Sequence, residues 1–262
     1  MSEARKIGPG LSLNAPDVSS NQKIFILGFN RCGTQSFSSA LGEIGIGCAH
    51  WDQNRLVLAI VDDINQGRTI DLDVHYPQCN AFMDMINVPG HGQSNNKPWI
   101  EGSQFAKELI QSYPNAYFIL NTRPVNDWIQ SRLKHVSGDF LEEYRREKLR
   151  RTGKHFSDEE IVLDWRYRWH QCHAEILELF SSNPNLNSHV FDITASSYSG
   201  LKDFLSPDYS LVGDTMPWVG RPESETVIPV QTTGDEPFNK SLKHRVKKVV
   251  KKVVKKILPF KF

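Results

Sequence analysis

The stretch KIFILGFNRCGTQSFSSALGEI, residues 23–44, joins an apolar run to a glycine-containing loop and then to an amphipathic segment. Residues 23–28 are almost entirely apolar, which predicts a short buried strand of a parallel sheet. The apolar residues after the loop recur at i, i+3, i+4 and i+7, the spacing of one helical stripe over residues 34–44: Phe37, Ala40, Leu41 and Ile44. A strand, a tight loop and a helix start bring backbone N–H groups and the positive helix end together, so this stretch predicts an anion site.

A second strand and helix follow in AYFILNTRPVNDWIQS, residues 116–131. We predict a strand over 116–122 and a helix over about 125–135, with Pro124 at the first helical position. Other patterns predict strands near 47–50, 80–85 and 189–193, and helices near 55–65, 104–113, 158–180 and 201–205. This alternation predicts an α/β fold, a parallel β-sheet flanked by helices on both faces. Ligands of such sheets bind at the carboxyl ends of strands, where both loops lie.

The first loop differs from a nucleoside triphosphate loop at two positions. The pattern G-x-x-x-x-G-K-[ST] fits Gly28 and Gly33, but Thr34 and Gln35 stand where it requires Lys and then Ser or Thr. That lysine would reach the β and γ phosphates and that hydroxyl would ligate Mg²⁺, so their loss argues against ATP hydrolysis and kinase chemistry. Arg31 supplies a cation inside the loop, which can still hold a cluster of anionic oxygens without a metal.

The loop also has the form R-[SC]-G-T-x-S after an apolar strand. This pattern resembles the 5′-phosphosulfate-binding loop of sulfotransferases that use 3′-phosphoadenosine 5′-phosphosulfate (PAPS). The resemblance implies a P-loop-like sulfotransferase fold, with PAPS as co-substrate and no metal requirement. The residues that it implies for binding the phosphosulfate are Arg31, Cys32, Gly33, Thr34, Gln35 and Ser36.

A second motif resembles the 3′-phosphate site of the same family. Arg123 stands at the end of its strand, and Ser131 follows eight residues later, with the Trp128 that often accompanies them. Two turns of helix bring Ser131 back toward the strand end, so that both side chains can contact one phosphate. Arg221, in PWVGRPES, corresponds to a late basic nucleotide contact of some members and is a further predicted binding residue.

The resemblance covers about residues 23–205 and is closest to the bacterial-type branch of the family. FMDMINVPGH resembles an acidic strand that ends in a turn, and HVFDI followed by LKDFL resembles the last core strand and helix. Asn87 departs from the pattern, because members often have Asp there. An acidic role at this strand therefore falls to Asp84 or to a residue elsewhere.

An acceptor hydroxyl needs a general base within hydrogen-bond reach. His50 and Asp84 end the second and third predicted strands, so we expect both at the same rim of the sheet and predict them, with Arg31, as catalytic residues. His91 is a third candidate for the base. Alternatives stay open, since His50 can be a packed rim residue and Asp84 can be structural or bind the acceptor.

Three further features bear on cofactors and access. Cys32, Cys48, Cys79 and Cys172 form no C-x-x-C pair, which argues against structural zinc and a disulfide framework. His170 and His173 lack the i, i+4 spacing of helical metal ligands, and we predict no metal site. Residues 138–168 are charged all round, which favours a solvated helical excursion, with a lid over the acceptor as the alternative.

The near-neutral net charge of +1 hides an asymmetry along the chain. Residues 240–262 hold ten of the 31 Lys and Arg and none of the 30 Asp and Glu, so residues 1–239 carry a net charge of −9. We divide the chain into a flexible leader (1–22), a sulfotransferase domain (23–210), a C-terminal extension or linker (211–239) and a basic amphipathic tail (240–262). The leader has no signal-peptide pattern, so we expect a cytoplasmic protein.

The tail places its valines and leucine opposite its lysines when drawn as a helix. This pattern favours an anionic membrane surface, with the inner membrane face as the expected location. Docking on the chain's own acidic body, binding of a polyanionic acceptor and nonspecific nucleic-acid binding remain alternatives, and no specific nucleic acid is expected.

Together these patterns predict an enzyme that transfers a sulfuryl group from PAPS to a hydroxyl of a carbohydrate or lipid acceptor. A degenerate P-loop nucleotide kinase and a non-catalytic nucleotide- or membrane-binding module are the alternatives.

Overall fold

The computed structural model describes residues 22–92, 97–135 and 139–219. Seven strands occur in this part of the chain: β1 (Ile24–Ile26), β2 (Cys48–His50), β3 (Ala81–Met83), β4 (Ile86–Asn87), β5 (Ile100–Glu101), β6 (Tyr117–Thr122) and β7 (Asn187–Asp192). Five of them form a parallel sheet in the order β2-β3-β1-β6-β7, while β4 and β5 pair as a small antiparallel ribbon.

Eight α-helices connect these strands: α1 (Thr34–Gly42), α2 (Arg55–Asn65), α3 (Leu72–His75), α4 (Ala106–Ser112), α5 (Val125–Leu133), α6 (Asp139–Thr152), α7 (Asp158–Ser182) and α8 (Tyr198–Leu205). A short turn at Asp52–Asn54 precedes α2, and a 3-10 turn at Gly102–Phe105 precedes α4. All of these elements belong to the unit Met1–Gly220, one of two into which the chain divides.

The central strand β1 explains how helices come to lie on both faces of the sheet. Its side chains are all buried and alternate between the two faces, as the period of a strand requires. Phe25 stacks on Phe82 of β3 and Phe118 of β6, with ring centroids 5.3 Å apart in each pair, and this layer packs against α2, α4 and α7. Ile24 and Ile26 point the other way and pack with α1 and α8. The predicted α/β class is therefore confirmed.

A third apolar cluster lies beyond the carboxyl end of β1 and is dominated by aromatic rings. Its members come from the loop after β1, the β4–β5 ribbon and helices α5 to α7: Phe29, Trp99, Trp128, Phe140, Tyr144 and Trp165. We call this set the aromatic cluster. Phe140 and Tyr144 are one turn apart on α6, so that helix buries one face and is not solvated all round as its charges suggested.

Most predicted helices and strands are present, and they differ from the prediction mainly in where they begin and end. Helix α2 spans the predicted residues 55–65, whereas α5 stops at Leu133 and Pro124 is its N-cap, one position before the first helical residue. The β4–β5 ribbon and α3 were not predicted. Within the described residues, no helix is long and apolar enough to cross a membrane.

Candidate functional site

The loop between β1 and α1 is shaped by two residues in the left-handed region. Arg31 has φ 67° and Gly33 has φ 81°. Gly33 is the N-cap of α1, and no side chain caps this helix start, while the first turn of the helix carries no acidic residue. The first backbone N–H groups of the nine-residue helix therefore have no side-chain cap and lie at the positive end of its dipole, as an anion site needs.

Asn121 of β6 fixes both ends of this loop, through contacts that the sequence does not predict. The Gly28 N–H donates to Asn121 Oδ1 at 2.6 Å, and Asn121 Nδ2 donates to the Cys32 carbonyl oxygen at 2.7 Å. A Cβ atom on Gly28 would lie 1.9 Å from the Asn121 carbonyl oxygen, so only glycine fits there. The sequence signal is a lone polar residue in an apolar strand, but nothing in the sequence names its partners.

The two predicted phosphate-binding motifs meet at Arg31. Arg31 Nε donates to Ser131 Oγ at 3.1 Å, and Arg123 Nη1 donates to the Arg31 carbonyl oxygen at 3.2 Å. The first of these bonds occupies one of the five N–H donors of the Arg31 guanidinium. Arg123 Nε is buried and has no hydrogen-bond partner among the described residues. A pair of cationic side chains thus converges at the carboxyl ends of β1 and β6.

The charges around the loop act on Arg31 and Cys32 in different ways. Burial lowers the pKa of the Arg31 guanidinium, the nearby Asp84 carboxylate raises it in part, and Arg123 lowers it further. Cys32 is fully buried, and burial raises the pKa of its thiol to about 12. The thiol therefore stays protonated at neutral pH, and Cys32 serves the loop as a small buried side chain. All four cysteines are free thiols, as the sequence predicts.

His50 and Asp84, the two predicted general bases, come together beside the start of α1. β2 and β3 pair in parallel with His50 opposite Met83, which brings Asp84 Oδ2 to 3.9 Å from His50 Nε2. The same imidazole nitrogen lies 3.0 Å from Thr34 Oγ1. Burial raises the pKa of the Asp84 carboxyl, an effect that the neighbouring His50 opposes. Asp84 also has φ 53°, and its Oδ1 is buried with no described partner.

A left-handed turn follows His50 directly and was not predicted. Residues 51–54 all have positive φ, between 47° and 74°, although none is glycine. Asn54 is fully buried and holds this turn together, since its Oδ1 accepts from Trp51 Nε1 at 2.8 Å and from the Val88 N–H at 3.2 Å. Its Nδ2 donates to the carbonyl oxygen of His91. The His91 backbone is thereby tied to the turn that follows His50.

The remaining predicted loop residues have distinct surroundings. Gln35 is exposed in the first turn of α1. Ser36 Oγ accepts from the Val219 N–H at 3.3 Å, so the segment after α8 returns to the phosphate loop. Arg221 lies outside the described residues, as do the leader over residues 1–21 and the basic tail.

Asn87 and His173, whose roles the sequence did not define, both form hydrogen bonds within the fold. Asn87 is fully buried, and its Nδ2 donates to the Pro98 carbonyl oxygen at 2.6 Å. An aspartate would place a carboxylate against that carbonyl, which explains the amide at this position. His173 Nδ1 donates to the Trp169 carbonyl oxygen at 2.8 Å, so its Nε2 accepts from Thr122 Oγ1 at 2.9 Å. No group of three His, Cys, Asp or Glu side chains that could hold a metal occurs among the described residues.

Comparison with known proteins shows which families and structures this chain is similar to. Residues 99–214 match the family model of a sulfotransferase domain. The matched range contains Arg123 and Ser131 and begins after the phosphate loop. A crystal structure of a sulfotransferase from Alicyclobacillus acidocaldarius aligns over 78% of this chain and 87% of that chain, at 15% identity and a TM-score of 0.44. No curated protein matches the chain.

The parallel sheet, with a lysine-free phosphate loop at its carboxyl edge, defines an α/β protein of the P-loop-like class. The family model matches the part of the chain that carries Arg123 and Ser131, so this part is similar to a sulfotransferase domain. The predicted resemblance to sulfotransferases is thereby confirmed over residues 99–214.

Proposed function

We propose that this chain transfers a sulfuryl group from PAPS to a hydroxyl group of a carbohydrate or lipid acceptor. One observation carries the proposal: the loop after β1 and the Arg123–Ser131 motif after β6 share contacts at Arg31. A donor with a 5′-phosphosulfate and a 3′-phosphate on one nucleoside requires two anion sites close together. ATP has no 3′-phosphate and would leave the second motif without a purpose.

The residues present fit such a donor. The open start of α1 and the Arg31 side chain suit the 5′-phosphosulfate, because backbone N–H groups and a forked guanidinium both match anionic oxygens. Arg123 and Ser131 suit the 3′-phosphate, and the buried, unpartnered Arg123 Nε offers a donor for it. Arg221 remains a proposed late contact to the nucleotide.

The reaction needs positioning and charge stabilisation more than covalent help from the protein. The acceptor oxygen attacks sulfur while the bond between sulfur and the 5′-phosphate oxygen breaks. Adenosine 3′,5′-bisphosphate leaves with the electrons of that bond, and the acceptor proton passes to a base. Arg31 stabilises the charge that grows on the leaving phosphate, an effect of the kind that preorganised cations supply at transferring groups.

The base is proposed to be the His50 and Asp84 pair. Both groups lie beside Thr34 and the start of α1, where the sulfuryl group would point. The raised pKa of the Asp84 carboxyl suits proton uptake, because a base works best when its pKa approaches the working pH. We expect His50→Ala or Asp84→Asn to lower kcat by about 100-fold or more, with the KM for PAPS little changed. Near-normal turnover in both variants would exclude this assignment.

Calorimetric titration tests the donor. We expect adenosine 3′,5′-bisphosphate to bind without Mg²⁺ and more tightly than ATP, and Arg123→Ala to weaken that binding by about tenfold or more. Arg146→Ala is the matched control, because its side chain is 70% exposed on α6. A preference for ATP that depends on Mg²⁺ would overturn the proposal in favour of a kinase.

The acceptor and the location are proposed from the sequence. A hydroxyl on a carbohydrate or lipid, presented at the inner face of a membrane, would suit a chain whose residues 240–262 are basic and amphipathic. Turnover with a panel of such acceptors separates an enzyme from a module that only binds the nucleotide. Binding of adenosine 3′,5′-bisphosphate without turnover of any of them would favour the module.

A further inference from the structure

Arg132 is a cation buried among aromatic rings, immediately after the proposed phosphate ligand Ser131. Only 1% of the residue is exposed. Its guanidinium carbon lies 4.4 to 5.4 Å from the ring centroids of four residues of the aromatic cluster: Trp128, Phe140, Trp165 and Phe29. A buried charge is costly unless it is paired and hydrogen-bonded, so its partners reveal what holds it there.

The hydrogen bonds of Arg132 lead to the phosphate loop. Nε and Nη2 both donate to Asn30 Oδ1, at 2.9 and 2.6 Å, and Nη2 also donates to Glu101 Oε1 at 2.6 Å. Trp128 Nε1 donates to the Asn30 carbonyl oxygen at 3.0 Å. Asn30 is therefore held through both its side chain and its backbone, directly before Arg31.

These hydrogen bonds stabilise an unfavourable backbone conformation in the loop. Arg31 has φ 67°, a conformation that is unfavourable for a non-glycine residue and persists only where its surroundings enforce it. Three bonds from α5 to Asn30 resist rotation of the peptide group that joins Asn30 to Arg31. Glu101 supplies the opposite charge that keeps Arg132 in place.

We propose that Arg132, paired with Glu101, positions Asn30 and so orients Arg31 and the loop toward the 5′-phosphosulfate. This inference rests on the proposed function. Ser131 and Arg132 are consecutive on α5, so one helix contacts the 3′-phosphate with the first residue and sets the 5′ loop with the second. The separation between the two anion sites is thereby fixed by the helix.

The test compares two nucleotides that differ only in the 5′-phosphate. Calorimetry with adenosine 3′,5′-bisphosphate and with adenosine 3′-monophosphate is run on the full chain and on Asn30→Ala. We expect the affinity for the bisphosphate to fall by about tenfold, while that for the monophosphate stays within about twofold. Asn126→Ala is the control, an exposed asparagine of α5 that accepts from Arg166.

A second variant covers the case in which Asn30→Ala does not fold. Trp128→Phe keeps an aromatic ring beside Arg132 but removes the bond to the Asn30 carbonyl oxygen, and we expect a smaller loss confined to the bisphosphate. Equal losses for both nucleotides would show a general structural role and overturn the inference. Unchanged bisphosphate affinity in the folded variants would also overturn it, with the proposed function intact. If the unaltered chain binds neither nucleotide, the proposed function fails and the inference fails with it.

Discussion

Gly28 and Asn121 show how a single position sets the path of the phosphate loop. A Cβ atom at Gly28 would lie 1.9 Å from the backbone oxygen of Asn121, a contact that neither strand can relieve without moving. The loop must leave β1 at this point to meet both hydrogen bonds of the Asn121 amide. Glycine is therefore required here for close approach of two strands.

Gly28→Ala should be destabilising and should weaken nucleotide binding. Overpacking a rigid contact costs about 1–3 kcal/mol or more, and displacement of the loop would separate Arg31 from Ser131. Gly42→Ala is the matched control, because no atom lies within 4 Å of the added methyl and alanine favours the helix by about 1 kcal/mol. Thermal denaturation and calorimetry with adenosine 3′,5′-bisphosphate measure both effects. Equal stability of the two variants would contradict this account.

The buried imidazole of His173 should make the free energy of unfolding depend on pH. Burial lowers the pKa of its imidazole from 6.5 to about 4, so the folded chain keeps it neutral in that interval while the unfolded chain binds a proton. Stability from this group is full above pH 6.5 and falls as the pH drops toward 4, by about 3 kcal/mol in all.

Urea denaturation at several pH values tests this dependence. His173→Gln keeps an oxygen for the Thr122 hydroxyl without a titrating ring, so we expect its stability to change less than that of the unaltered chain between pH 6.5 and 4. Gln171→Ala changes an exposed, non-titrating side chain of the same helix and should keep the original slope. The same slope in all three proteins would show that His173 does not carry the effect.

At single positions, the sequence indicates the proposed phosphate-binding residues better than the residues that hold them in place. Arg31, Arg123 and Ser131 could be predicted because each belongs to a local motif with fixed spacing. Asn121 and Arg132 could not, because Asn121 and Gly28 are 93 residues apart, and Arg132 and Asn30 are 102 residues apart. Such partners depend on strand order and helix packing, which no local pattern encodes.

Helices and strands with a local sequence pattern could also be predicted, whereas those without one could not. The five strands of the sheet and the longer helices follow from apolar runs and stripes of adequate length. The β4–β5 ribbon has two residues in each strand, and the left-handed turn after His50 depends on Asn54, so neither has a signal of its own. In α6 the Phe140 and Tyr144 stripe was readable, but the surrounding charges obscured it.

The start of helix α7 contributes to the stability of the fold. Its start carries a capping box, in which Ser157 Oγ accepts from the Glu160 N–H and the Glu160 carboxylate accepts from the Ser157 N–H. Ser157→Ala should lower the free energy of unfolding by about 1 kcal/mol, because two helix-start donors lose their arrangement. Ser181→Ala, near the exposed end of the same helix, is the control and should change it little. Urea denaturation that shows no difference between these variants would mean that the cap adds nothing.

For the whole molecule, the sheet order explains why the site lies at one edge. β1 is flanked by β3 and β6, so the loop after β1 meets Asp84 on one side and Arg123 on the other. The cationic side toward β6 suits the proposed anionic donor, and the side toward β2 and β3 carries His50 and Asp84, the proposed base. In the proposed reaction, one parallel sheet would thereby hold the donor and the acceptor on opposite sides of Arg31 and Thr34.

Charge of opposite sign is concentrated in the two parts of the chain. Residues 1–239 carry a net charge of −9 and residues 240–262 a net charge of +10. We expect the full chain to co-sediment with vesicles that contain phosphatidylserine and to be released as salt rises, because each lysine near an anionic surface contributes about 1 kcal/mol that salt screens.

Two comparisons decide whether the tail causes this binding. A chain ending at residue 239 should stay in the supernatant, and full-length protein with Lys251, Lys252, Lys255 and Lys256 changed to glutamine should bind weakly. Vesicles of phosphatidylcholine alone are the control for apolar adsorption. If the tail binds lipid, removing it must lower sedimentation with anionic vesicles. Equal sedimentation of the full and shortened chains would therefore remove the membrane proposal and leave the chain's own acidic body or a polyanionic acceptor as the partner of the tail.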